Sequence, residues 1–141
     1  MSGRLPYVTR KYYPHMTGED GAIWNRFVEK YPQRFDSVDY DFRVGQGTEL
    51  AGDIDDNYVR MAKMLSQKRI DVVGWNGDYP TIIEVKLRVG LSTLGQILGY
   101  QKLFGKEFPH FSFPELLVVC QYIGQDDVDV LTSYRVPVEV V

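Results

Sequence analysis

Asp71, Glu84 and Lys86 are spaced so that one patch of β-sheet could hold two carboxylates and an ammonium. Glu84 and Lys86 interrupt the apolar run Thr81-Ile82-Ile83-Glu84-Val85-Lys86-Leu87, which follows Pro80 and is rich in β-branched residues. Such a run reads as a strand near the middle of a sheet. Side chains two apart share a face, so Glu84 and Lys86 point one way and Ile83, Val85 and Leu87 the other. Charges on a core-type strand cost stability unless they are paired or hold a metal. Lys68 to Trp75 (KRIDVVGW) reads as the preceding strand, with Asn76-Gly77 as a two-residue hairpin turn. That turn sets Trp75 opposite Asp78 and Asp71 opposite Ile82. Asp71 then shares the face of Glu84 and Lys86 and lies diagonal to Glu84, roughly 7–8 Å away at the backbone. A one-residue slip would carry Asp71 to the other face. Two converging carboxylates hold a hard divalent cation, and an ammonium beside them stabilises developing negative charge. The plainer reading of the same residues is a charged ladder on a solvated sheet face.

The elements around this hairpin follow from pattern. Met1 to Met16 is aromatic and basic without a clean period and reads as an N-terminal arm; residues 17–141 read as a single domain. Thr17 can cap a helix to Tyr31, with Asp20 three residues on and Ile23, Trp24, Phe27 and Tyr31 as its apolar stripe. Val38 to Val44 alternates as a strand. Glu49 to Asp56 is an acidic loop, with Asp53, Asp55 and Asp56 read as solvated residues capping the next helix rather than as a calcium loop. Asn57 to Gln67 forms that short helix, with Val59, Met61, Met64 and Leu65 available for packing. After the hairpin, Leu91 to Phe104 is an amphipathic helix, Glu115 to Ile123 an apolar strand, Asp126 to Ser133 a helical turn or two, and Pro137 to Val141 an edge strand.

Composition narrows the chemistry. The chain has 141 residues, ordinary apolar and charged fractions, and one cysteine, Cys120, inside an apolar run. No disulfide can form within it, which suits a reducing cytoplasm. No apolar stretch is long enough to span a bilayer and no signal-peptide pattern appears, so the expectation is a cytoplasmic protein without a membrane partner. With only His15 and His110, a zinc site of His and Cys is not expected; oxygen ligands favour Mg²⁺ or Mn²⁺. The net charge of −3 argues mildly against nucleic acid. Between Arg60 and Lys106, however, Lys and Arg outnumber the acidic Asp71, Asp78 and Glu84, and a basic zone around an acidic site suits a phosphate-backbone substrate.

Asp71 followed by Glu84-Val85-Lys86 on the next strand resembles the D…(D/E)xK motif of the PD-(D/E)XK nuclease superfamily, with Ile70 in place of the usual Pro. Gln96-Ile97-Leu98-Gly99-Tyr100 is similar to the QxxxY element of the RecB-type branch, and Glu19 matches the family's N-terminal helical glutamate. The resemblance spans roughly residues 17–123. It implies an α/β fold with a restriction-endonuclease-like core, a mixed central β-sheet flanked by helices in αβββαβ order. It further implies a metal-dependent DNA nuclease with Mg²⁺ or Mn²⁺ on Asp71, Glu84 and the Val85 carbonyl. Lys86 would orient or help deprotonate the attacking water. Glu19 would hold a coordinated water or a second ion, and Gln96, with Tyr100 and Arg88, would contact substrate. Cleavage could be endo- or exonucleolytic. So compact a chain has little room for a separate specificity domain, so the resemblance points to a homodimer, a larger nucleoprotein complex or recognition of DNA structure. The alternatives are a non-catalytic DNA-binding or assembly module of the same fold, and an unrelated α/β protein in which Asp71 and Glu84 lie on opposite faces.

Overall fold

Thr17 opens the first helix as its sequence requires: its hydroxyl accepts the Asp20 N–H at 3.0 Å, and α1 runs from Gly18 to Lys30. In this computed structural model, which describes residues 5–47, 52 and 54–141, the further elements are β1 (Leu5–Pro6), β2 (Ser37–Val44), α2 (Asp56–Ser66), β3 (Lys68–Asn76), β4 (Tyr79–Val89), α3 (Leu91–Glu107), β5 (Glu115–Ile123), α4 (Gln125–Ser133) and β6 (Val138–Val140). The six strands form one mixed sheet in the order β1-β2-β3-β4-β5-β6. β1 to β4 are antiparallel neighbours; β4, β5 and β6 run parallel, joined by crossovers through α3 and α4. The chain is therefore an α/β protein with a six-stranded mixed sheet between helices.

The apolar stripe expected of α1 buries through Ile23, Trp24 and Phe27; of the α3 positions expected to pack, Leu94, Ile97, Leu98, Gln101 and Leu103, only Ile97 is fully buried, joined by Phe104. Ile23, Trp24, Phe27 and Val28 cover one sheet face, over Val38, Val72, Ile83, Val85, Leu117 and Val119. Ile97 and Phe104 of α3 and Leu131 of α4 cover the other, over Val73, Trp75, Ile82, Val118 and Cys120. Residues 5–16 do not form a separate arm. Leu5 pairs with Val38, and Tyr7 and Tyr13 are buried in the α1-side core, where aromatic area outweighs the lack of any sequence period. α2 is the opposite case: it buries none of its side chains, and Met61, Met64 and Leu65 are exposed rather than packed. Asp55 caps it, accepting the Asn57 N–H at 2.8 Å, whereas Glu49 and Asp53 lie outside the described residues. Among the described residues no helix is long and apolar enough to cross a membrane.

Two departures from regular sheet shape the region around Asp71 and Glu84. The hairpin turn is Gly77-Asp78, not Asn76-Gly77: Asn76 pairs with Tyr79 and Trp75 with Pro80. Gly77 carries φ +61° while Asp78 stays at negative φ, the pattern of a type II′ turn, whose first position Gly favours. The register therefore moves by two, an even number, so Val72, Ile83 and Val85 keep their shared face and Asp71 still meets Glu84 and Lys86, whereas Ile70, expected beside Val72, faces the other way. The second departure lies in β2. Val38 and Tyr40 pack on the α1 side, but Phe42 and Val44 pack on the α3 side; between them Asp41 is left-handed at φ +51°. β3 changes with it, Ile70 facing α3 and Val72 facing α1.

Gly74, in the regular half of β3, lies under the Phe35 ring, and a Cβ there would stand 2.7 Å from two ring carbons. Gly74→Ala should cost about 1–3 kcal/mol through this overlap. The check is a lower denaturant midpoint at unchanged slope. Phe35→Leu should recover part of the loss.

Candidate functional site

β3 and β4 stay paired only from the turn to Val72–Ile83, whereas β3 stays on β2 down to Lys68 and β4 stays on β5 up to Val89. The sheet forks. The next positions after the last pair are Asp71 and Glu84, directly across from each other rather than diagonal. A strand that loses its neighbour leaves main-chain donors that must find partners. Here a carboxylate supplies one: Asp71 Oδ2 accepts the Val85 N–H at 3.0 Å, while the Leu87 main chain lies close enough to Asp20 to favour its charged form. The N–H and C=O of one strand residue point to the same side, so the Val85 carbonyl also faces the fork.

The fork opens into a cleft of about 400 Å³ lined by Asp20, Arg69, Asp71, residues 84–88, Gln96 and Tyr100. A larger hollow of about 660 Å³ beside the first turn of α1, between residues 9–13 and Asn25, contains no carboxylate pair. Glu84 is 4% exposed, and its Oε1 has no hydrogen-bond partner. Burial pushes the Asp71 carboxyl above the carboxylate range, against the pull of the Val85 N–H and of the Lys86 charge. Glu84 is raised further, first by burial and then by the neighbouring Asp71 charge, with Lys86 opposing. Two adjacent buried carboxylates resist carrying two negative charges, so they titrate as a pair. Asp20 is also raised by burial, partly offset by Thr17 and Lys86. Tyr100 is pushed up to about 12 by burial and by the Glu84 and Asp71 charges.

Most of the residues expected from sequence meet here. Asp71, Glu84, Val85 and Lys86 line one cleft and share it with Gln96 and Tyr100 from α3, while Arg88 lies exposed at its rim with its guanidinium 4.7 Å from the Tyr122 ring centre. Glu19 does not join them. It is exposed on the outer side of α1, and Asp20 takes the position in the cleft. The helical period contains the signal: Asp20 precedes Ile23, Trp24 and Phe27 by three, four and seven residues, so it lies on the buried stripe. Arg69, two residues before Asp71, is the other cleft residue that motif spacing did not single out.

The donor set suits a hard divalent cation. One Asp71 oxygen remains beyond the Val85 bond, Glu84 Oε1 is buried without a partner, and the Val85 carbonyl faces the same space: all are oxygens. Among the described residues no three His, Cys, Asp or Glu side chains come together as a ready ligand group, so the site offers two carboxylates and a carbonyl. Comparison with protein-family models, curated proteins and solved structures returns no match to the chain.

The raised pair gives a signed prediction. A carboxyl whose folded pKa lies above its unfolded value stabilises the fold below the unfolded value, and that contribution is lost as pH rises through the folded one. The ion-free protein should therefore melt progressively lower as pH rises from the ordinary carboxylate range through about 8, the raised value at Glu84. Differential scanning calorimetry should show Glu84→Gln flattening that slope, and Mn²⁺ should raise the melting temperature most at the alkaline end.

Proposed function

We propose that the chain is a divalent-metal-dependent phosphodiesterase, and within that class a deoxyribonuclease of the PD-(D/E)XK type with a restriction-endonuclease-like core. The observation that carries this reading is the buried Asp71–Glu84 pair in a sheet fork, with Lys86 on the same strand and Glu84 Oε1 unpartnered. The antiparallel β2-β3-β4 meander followed by the α3 crossover to parallel β5 supports it, as does the QxxxY pair on the cleft side of α3. Mg²⁺ or Mn²⁺ would be held by Asp71, Glu84 and the Val85 carbonyl. When bound, such an ion neutralises phosphate charge and makes a water more acidic.

The chain's own residues supply the rest. The Lys86 charge acts on all three carboxylates; it orients the attacking water and stabilises charge growing on the phosphate. Asp20, in the cleft wall, pairs its charge with that of Lys86. Gln96 and Tyr100 present an amide and a hydroxyl from the α3 wall to the substrate backbone. The water oxygen adds to phosphorus as the opposite P–O ester bond breaks. One fragment keeps a phosphomonoester and the other a hydroxyl that takes up a proton. The protein would act in the cytoplasm on DNA, as a homodimer or within a nucleoprotein complex.

A second reading is a non-catalytic DNA-binding or assembly module, favoured by the absence of a third converging ligand among the described residues. The two separate in one set of assays. Duplex, single-stranded and branched DNA are incubated with Mg²⁺ or Mn²⁺, and Mn²⁺ binding is followed by calorimetry. The nuclease reading expects cleavage that falls about 10²–10³-fold in Lys86→Ala, the range lost with one charge-stabilising donor, and at least as far in Asp71→Ala. Activity that survives both substitutions overturns it; stoichiometric DNA binding without specific Mn²⁺ binding favours the module.

A further inference from the structure

The kink in β2 and β3 builds a second charged group beside the carboxylates. Arg43 and Arg69 are directly paired across the two strands. Like charges opposed on a sheet repel unless an anion lies between them. One carboxylate serves both: Asp41 Oδ1 is 3.6 Å from Arg69 Nε, and its Oδ2 is 4.0 Å from Arg43 Nη2. Asp41 reaches this position only through its left-handed backbone, a conformation that costs energy in a non-glycine residue and gathers at functional sites.

His15 completes the support. Its Nδ1 lies 2.8 Å from Arg69 Nη1 and its Nε2 3.0 Å from Asp41 Oδ2. Guanidinium has only donors, so Nδ1 must be the acceptor, and the imidazole proton sits on Nε2 and points to Asp41. A neutral imidazole at Nη1 and one carboxylate near Nε thus steady the Arg69 guanidinium, while Arg69 is about one-third exposed and lines the cleft beside Asp71 and Glu84. Two cations share a single anion, so the cluster keeps a positive charge in the basic half of an acidic protein. A guanidinium part-exposed in the cleft suits a phosphate oxygen.

We infer that Arg69, assisted by Arg43 across the strands, is the anion contact of the cleft and receives a phosphodiester of the bound DNA strand, with His15 and Asp41 as its positioning residues. The placement of that phosphate next to the reacting one rests on the nuclease reading; the anion contact itself does not.

The test measures binding and cleavage separately. Affinity of the full-length protein for a fluorescein-labelled DNA duplex with a single-stranded tail is followed by anisotropy without divalent ions, across a range of salt. Cleavage is then followed with Mn²⁺. Arg69→Ala should weaken binding about tenfold and reduce the salt slope by about one phosphate contact. Arg69→Lys should keep the slope with intermediate affinity. His15→Ala removes no charge and should weaken affinity while leaving the slope unchanged, which a purely structural loss would not do; thermal melts report the fold of each variant. If the wild type cleaves and Arg69→Ala binds with wild-type affinity and slope, the inference is overturned and the nuclease reading stands. Arg69-dependent binding without cleavage upholds the inference and overturns the nuclease reading. No binding by the wild type overturns both.

Discussion

Where β3 leaves β4, main-chain donors on β4 lose the strand that would have paired them, and the protein answers with carboxylates. Asp71 takes the Val85 N–H, and the Asp20 carboxylate lies by the Leu87 main chain. An unpaired buried N–H costs about as much as a lost hydrogen bond, and an unpaired buried carboxylate costs more. Each defect relieves the other. The acidic cluster is therefore not an addition to a finished sheet; without it the fork would expose unsatisfied backbone, and without the fork the carboxylates would have no donors. Glu84 is the exception, buried with one oxygen unpartnered, and that residual demand is what a cation would meet.

The helices divide the work in the same way. The first turn of α1 reaches into the cleft through Asp20, while its next two turns seal the core through Ile23, Trp24 and Phe27. α3 does likewise, with Gln96 and Tyr100 on the cleft and Ile97 and Phe104 beneath the sheet. Site geometry and core packing are thus set by the same rigid bodies, and a shift in either helix would move both.

Much of this is legible in the residues. Period-two alternation in Thr81 to Leu87 is enough to put Glu84 and Lys86 on one face, and the hairpin signal is enough to bring Asp71 to them. The turn itself falls one residue away from its expected place because Asn76-Gly77 and Gly77-Asp78 both satisfy the chemistry of a two-residue loop. Only the strand pairing of Asn76 with Tyr79 decides between them, and the even shift spares the faces. Motif matching prefers Glu19 to Asp20, although the helical period favours Asp20. The change of face in β2 is hidden altogether: Val38, Tyr40, Phe42 and Val44 alternate without interruption, yet a left-handed Asp41 divides them between two layers. Nothing local to that segment specifies it, because its partners His15 and Arg69 come from distant parts of the chain. The burial of Tyr7 and Tyr13 is equally invisible, since two isolated aromatic residues carry no period.

The strand behind the cleft sets its shape. Across from Glu84, Val85 and Lys86 stand Val118, Val119 and Cys120 of β5, each fully buried and apolar. β5 gives these β4 residues only apolar neighbours, so the charged groups that act on Glu84 and Lys86 come from the forked side, from Asp71 and Asp20.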